Sequence, residues 1–274
     1  MQIYVVALFL AISSFAWAQI AVISDIDDTI KVSHVLDRSE SVVNAFRTHN
    51  VFRGMPQLYQ LLENAFPESE FFYVTNAPRA LMENSHSRFL SENQFPLGHL
   101  LLRESLSDPD HKITTIRRIL NRPGWRAVIF IGDNGERDTQ IYAQAVKEFP
   151  RLPSATFIRQ AYVSREDWSE DVGAPLEPGQ FGFVTPIEVA LSFQRMGLFK
   201  DEDVLRLENF YVPPTIDRAV DEDVEGEEGT LSFPNWVDCR EFQIPRSLLR
   251  RQTPLAHRLV VRLRERCSRP APED

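Results

Sequence analysis

The run Ile20-Ala21-Val22-Ile23-Ser24 carries no charged side chain and opens directly onto Asp25-Ile26-Asp27-Asp28-Thr29. A buried strand therefore ends in two carboxylates one residue apart. Strand residues i and i+2 point the same way, so Asp25 and Asp27 can face a common ligand, while Asp28 points elsewhere and Thr29 helps cap the next segment. That placement suits an aspartate nucleophile with its own acid/base partner. An Asx-type turn accounts equally well for an isolated Asp-x-Asp-x-Thr, because Asp and Thr side chains bond readily to nearby backbone.

Three further segments change that balance. Glu70-Phe71-Phe72-Tyr73-Val74 reads as a strand of aromatic and β-branched residues, and it ends at Thr75-Asn76-Ala77-Pro78, where the proline stops the ladder. Lys112 opens a pattern in which Ile113, Ile116, Ile119 and Leu120 recur at helical spacing, with Asp108 or Asp110 placed to cap it. Ala127-Val128-Ile129-Phe130-Ile131 is a third buried strand, and the loop after it, Gly132 to Asp138, carries acids at Asp133 and Asp138. Helices are expected at 56–65, 79–91, 112–120 and 139–149 and from Pro186 toward Met196, with a strand at Leu100-Leu101-Leu102. Short apolar strands alternating with helical patterns specify an α/β fold, a parallel sheet covered by helices on both faces. Such folds place ligands at the carboxyl ends of the strands, where Asp25, Thr75 and Asp133 all fall.

In this order the segments resemble the four motifs of the haloacid dehalogenase superfamily: Asp-x-Asp, a strand-end Thr or Ser, a Lys, and Gly-Asp-x-x-x-Asp. The closer resemblance is to the phosphatidate phosphatase catalytic domain of the actin-patch-protein type. It rests on Val22 to Lys31, Phe52-Arg53-Gly54-Met55-Pro56, Phe72 to Pro78 and Ile131 to Asp138, and it covers about residues 20–165. Asn134 stands where that family leads one to expect Ser. The resemblance implies a three-layer, Rossmann-like parallel sheet. Only 45 residues separate Thr29 from Thr75 and 36 separate Thr75 from Lys112, so the fold has a small cap or none. An uncapped site favours substrates whose bulk stays outside, such as a lipid headgroup or a macromolecular phosphate.

The resemblance also implies roles. Asp25 attacks phosphorus to give an aspartyl-phosphate, and Asp27 serves first as general acid and then as general base. Thr75 and Lys112 hold the transferring oxygens. Crowded carboxylates raise one another's pKa unless a cation offsets them, which predicts Mg²⁺ held by the side chains of Asp25 and Asp133 and the backbone carbonyl of Asp27. Asp138 and Asn76 are expected in support, Asp138 orienting Lys112 or the metal's waters. Arg53 is a candidate phosphate or headgroup donor, although an ordinary solvated arginine fits it at least as well. His34, His49, His86, His99 and His111 show no metal spacing and read as surface or incidental residues. The implied enzyme is a Mg²⁺-dependent phosphatase acting on phosphatidate. The alternatives are a nonspecific secreted acid phosphatase acting on soluble esters, and a non-catalytic surface-binding protein.

Residues 1–18 are uncharged, contain an apolar stretch from Val5 to Ile12 and end in Ala16-Trp17-Ala18, which predicts a signal peptide and an exported enzyme. The net charge of −9 opposes binding to nucleic acid. Residues 19–212 are expected to form the catalytic domain, and 213–274 an acidic linker and arginine-rich tail. Asp217 to Gly229 holds seven acids, whereas Arg240 to Arg269 holds nine arginines. The tail is expected to dock on the domain, with a peripheral membrane contact as the alternative. In an exported protein Cys239 and Cys267 are a candidate disulfide pair.

Overall fold

A computed structural model describes residues 19–37, 46–105, 107–166, 168–169, 171–217 and 230–268. The signal-peptide expectation for 1–18 and the acidic run after Asp217 lie outside the described residues. The elements are β1 (Ile20–Ser24), β2 (Val51–Phe52), α1 (Met55–Ala65), β3 (Glu70–Pro78), α2 (Arg79–Glu92), β4 (Gly98–Arg103), α3 (His111–Leu120), β5 (Ala127–Asp133) and α4 (Asp138–Glu148). They continue with β6 (Ser154–Arg159), β7 (Phe181–Phe183), α5 (Pro186–Arg195), α6 (Asp201–Asp217), β8 (Thr230–Leu231), α7 (Arg246–Leu249) and α8 (Pro254–Cys267).

The main sheet has the order β4-β3-β1-β5-β6-β7, and every pairing is parallel. The strand carrying Asp25 is thus central, flanked by the strands that lead to Thr75 and Asp133. Alternation along each strand decides which side chains go to which face. Ile20, Val22, Phe71, Tyr73, Ile129 and Ile131 pack with α1, α5, α6 and α8, and Ala21, Ile23, Phe72, Val74, Val128 and Phe130 pack with α3 and α4. Both faces are covered, which is why these strands read as continuous apolar runs.

Two glycines stand where the chain packs too closely for a side chain. Gly54 takes φ 77° at the entry to α1, where a Cβ would meet the Tyr211 ring. Gly132 has no left-handed backbone to explain it. A Cβ there would lie 2.6 Å from the Tyr142 ring and would displace Asp138.

Residues 230–268 share the core of the sheet domain. Leu231, Phe233, Val237, Leu248, Leu259 and Leu263 belong to the same cluster as α1 and α5. The helix α6 runs through Pro213 and Pro214, so it crosses the boundary drawn after residue 212. Thr253 caps α8 by accepting from the Ala256 N–H at 3.1 Å, with Pro254 at the first helical position. Arg251 joins the segment before α8 to α6 through a buried ion pair with Glu208. Arg266 donates to the carbonyls of Pro234 (3.0 Å) and Asn235 (2.9 Å). A disulfide links Cys239 to Cys267. No described helix is long and apolar enough to cross a membrane.

Candidate active site

The chain leaves β1 in a tight turn. The Asp25 N–H donates to the Ile131 carbonyl (2.9 Å), and the N–H groups of Ile30 and Lys31 both donate to Ile26 (2.9 Å each). Asp28, at φ 55°, is wholly buried beneath this turn. Its carboxylate accepts from the backbone of Ser33 (2.9 Å), His34 (2.7 Å) and Val35 (2.7 Å) and from the Tyr162 hydroxyl (2.6 Å). Asp28 therefore shapes the turn from within, while Asp25 and Asp27 are left facing the cleft. Thr29 does not cap a helix. Its hydroxyl donates to Asp133 Oδ2 at 3.0 Å and lies 3.4 Å from Asp25 Oδ2, tying the first motif to the fourth.

Lys112, at the start of α3, reaches back to the sheet edge. Its Nζ donates to Asp25 Oδ1 at 2.7 Å and to Asp138 Oδ1 at 2.5 Å, and all three groups are buried. Asp138 is thus in contact with Lys112 itself. Asp110 occupies the position before α3 but makes no side-chain cap. β3 runs on past Thr75 to Pro78, which pairs with Arg103 after a shift of register that begins at Val74, so the proline does not stop the ladder. Thr75 is buried at this irregularity, where its Oγ1 accepts the Ala77 N–H at 3.0 Å and keeps its own proton free to donate. Asn76 donates to Glu136 Oε2 at 2.9 Å, linking the second and fourth motif loops. Asn134, the departure from the family pattern, is pinned to the loop after β6. It accepts from the backbone of Ala161 (2.9 Å) and Tyr162 (3.1 Å) and donates to the Tyr162 carbonyl (2.6 Å).

Carboxylate oxygens of Asp25, Asp133 and Asp138 come within 4.8 Å of one another. Burial pushes the Asp25 carboxyl well above its ordinary range; Lys112 opposes this, and Asp138, Asp133 and Asp27 add to it. Burial, with Asp138 and Asp28 behind it, pushes Asp133 up as well. Asp138 is also raised by burial, against the pull of Lys112. For Lys112, desolvation is outweighed by Asp138 and Asp25, so the ammonium is held well above its usual value. Three buried carboxylates thus face one lysine, and Asp138 Oδ2 is buried without a hydrogen-bond partner. A hard, oxygen-seeking divalent cation fits this donor set and its uncompensated charge.

The Asp27 carboxylate is not in that cluster. Its Oδ1 accepts from the Ser33 hydroxyl at 2.7 Å, and His86 Nε2 lies 3.3 Å from Oδ2. Burial alone would raise Asp27, but His86, Lys31 and Ser33 together hold it below the usual carboxylate range.

An open cleft of about 700 Å³ rises from Asp25, Asp27 and Thr75. Phe46 and Leu81, 63% and 64% exposed, stand on its wall. Arg103 and Arg137 line it; Arg53 does not. Arg53 instead donates to the Ser232 hydroxyl (2.9 Å) and the Thr230 carbonyl (3.0 Å), holding β8 beside β2. Its place next to a glycine turn in the sequence does not show these bonds. Arg103 ends β4, and its Nε is buried without a hydrogen-bond partner. The histidines need a similar correction: His34, His86 and His111 are buried. The signal for His86 was available, since Met82, Ser85, His86 and Phe89 recur at helical spacing on the buried face of α2.

Residues 20–160 match the family described as "Phosphatidate phosphatase APP1, catalytic domain". Two curated proteins are similar to the chain. Phosphatidate phosphatase APP1 of Saccharomyces cerevisiae is 30% identical over 161 residues, covering 54% of this chain and 27% of that protein. Uncharacterized protein C29B5.04c of Schizosaccharomyces pombe is 28% identical over 152 residues, covering 51% and 25%. The chain spans about a quarter of the length of these relatives. Among solved structures, a chain from "Structure of the Pnkp1/Rnl/Hen1 RNA repair complex" aligns with TM-score 0.38 and 17% identity, covering 51% of this chain and 42% of its own.

Proposed function

Because this chain belongs to the family of the phosphatidate phosphatase APP1 catalytic domain, we propose that it is a Mg²⁺-dependent phosphatase that hydrolyses phosphatidate to diacylglycerol. The observation that carries this reading is the Asp25–Lys112–Asp138 contact beside Asp133, at the foot of an open cleft. The apolar side chains of Phe46 and Leu81 beside Arg103 and Arg137 suit a ligand with a phosphate at one end and acyl chains at the other.

Asp25 attacks phosphorus in line, forming its own P–O bond as the ester P–O bond breaks. Asp27, from the cleft floor, gives a proton to the departing alkoxide. Water then attacks the aspartyl-phosphate, Asp27 takes back a proton, and inorganic phosphate leaves. Lys112 and the free hydroxyl proton of Thr75 stabilise the transferring oxygens, and Asp138 keeps Lys112 charged and aimed. Asp25 and Asp133, with the carbonyl of Asp27, would hold Mg²⁺, which would supply positive charge to offset that of the phosphoryl group. An exported location belongs to the same proposal, and the Cys239–Cys267 disulfide supports an oxidising compartment.

The test is phosphate release by residues 19–274, with and without Mg²⁺, from phosphatidate in mixed micelles and from a soluble aryl phosphate, beside Asp25→Asn. Metal-dependent turnover that favours phosphatidate and is lost in the variant is expected. Turnover of the soluble ester alone would replace this reading with a nonspecific acid phosphatase. Metal binding with no turnover of either substrate would leave a non-catalytic binding protein.

A further inference from the structure

His86 lies on the buried face of α2 and is wholly inaccessible to solvent. A polar ring in such a place has to be explained, because a buried donor without a partner destabilises the fold. Among the described residues the charged group it approaches is Asp27, whose Oδ2 lies 3.3 Å from Nε2. Neither ring nitrogen makes a hydrogen bond of good geometry; the Asp27 carboxylate, at ion-pair distance from Nε2, is the contact that accounts for the ring. An apolar side chain would fill the same space without that cost.

Seen from Asp27, the arrangement is two-sided. Ser33, after the catalytic turn, donates to Oδ1 at 2.7 Å, and His86, from α2, approaches Oδ2. The carboxylate nevertheless keeps a face on the cleft that holds Asp25. Its two clamps come from separate segments, one beyond the first motif and the other beyond the second. The helix bearing His86 follows directly on β3, so the strand that delivers Thr75 also sets the position of the clamp. Lys31, on the same turn, lies 6.0 Å from the ring of Phe89, one turn along α2 from His86, so this side of the turn is packed against the helix.

We propose that His86 is the positioning residue for Asp27, holding its carboxylate where it can serve the departing oxygen of the substrate. This rests on the phosphatase reading and on Asp27 as its general acid and base. His86 touches neither substrate nor the reacting atoms. Its effect appears only where proton delivery to the leaving group limits the rate.

The test uses the full chain and the variants His86→Leu and His86→Gln, with folding checked by circular dichroism. Release of the leaving group is followed in a single turnover with enzyme in excess, from an alkyl phosphate and from p-nitrophenyl phosphate. An alkoxide needs a proton to leave and a nitrophenolate does not. His86→Leu is expected to slow alkyl release by about 100-fold, the order that a misplaced or missing general acid produces, and aryl release by less than about fivefold. His86→Gln keeps a donor near the position of Nε2 and is expected to restore most of the alkyl rate. Equal losses on both esters, no loss on either, or a Gln variant as slow as Leu would each overturn the proposal. If the unaltered protein turned over neither ester, the phosphatase reading would fail by itself. The crystal structure of His86→Leu would then decide the positioning claim: an Asp27 carboxylate swung away from its present site supports it, and an unmoved one refutes it.

Discussion

The carboxyl edge of β1 and the segment from 230 to 268 both bury charge, and they do so to opposite effect. At the edge, Asp25, Asp133 and Asp138 face a single lysine, and burial pushes all three carboxyls above their ordinary range. In the C-terminal segment Arg251 meets the buried Glu208 and the exposed Asp201, Arg266 is answered by two carbonyls, and a disulfide joins Cys239 to the end of α8. The first region holds more buried carboxylate than its lysine offsets, which suits a cation; the second gives its buried Glu208 an arginine of its own. Burying charge is thus not evidence of function by itself. The informative feature is whether the partners present are enough.

The comparison can be broken most sharply at Asp25. Replacing it with Asn is expected to abolish turnover, by at least about 10³-fold, while raising the melting temperature of the metal-free protein, because one of three repelling carboxylates is gone. Phosphate release and a thermal melt in chelator check the two halves, and a lower melting temperature would sink the claim that this edge is short of positive charge. At Arg251 the reverse is expected. Arg251→Met leaves Glu208 buried and unpaired, costing about 3–5 kcal/mol in urea unfolding, with turnover per folded molecule retained. Breaking the disulfide by Cys239→Ser with Cys267→Ser is expected to cost about 3 kcal/mol, again without loss of specific activity. If activity fell with stability in either variant, the C-terminal segment would be coupled to the site after all.

The smallest effect sharpens the contrast within the core. Glu188, in the capping box of α5 with Thr185, is raised by burial to about 7. The unfolded chain releases this proton near the ordinary value and the folded chain holds it until near 7. Stability therefore falls as pH rises between them, by about 2 kcal/mol from pH 5 to pH 7. Glu188→Gln keeps the cap and is expected to remove that slope, which urea unfolding at the two pH values would show.

Much of the site was legible because strand-end chemistry is written in adjacent residues. Asp25, Thr75 and Asp133 each follow an apolar run, and helical spacing marked the start of α3 at Lys112 within one residue. Arg53 shows where such reading stops. It sits within a family-like string, yet it bonds to residues 177 and 179 positions away, whereas Arg103, in no motif, reaches the cleft. His86 is hidden for a related reason, since the histidines show no metal spacing and its partner is a carboxylate on another element.

By itself the sequence determined the parallel sheet, its two buried faces and the set of carboxylates at its edge, because alternation and helical periodicity are local and each run declares its own face. Only the tertiary structure decided which partners those groups meet. It placed Asp138 on Lys112, Asp27 between Ser33 and His86, and residues 230–268 within the core of the sheet domain. Such pairings follow from strand order and helix packing, which bring together residues far apart in the chain, and no local pattern encodes the meeting.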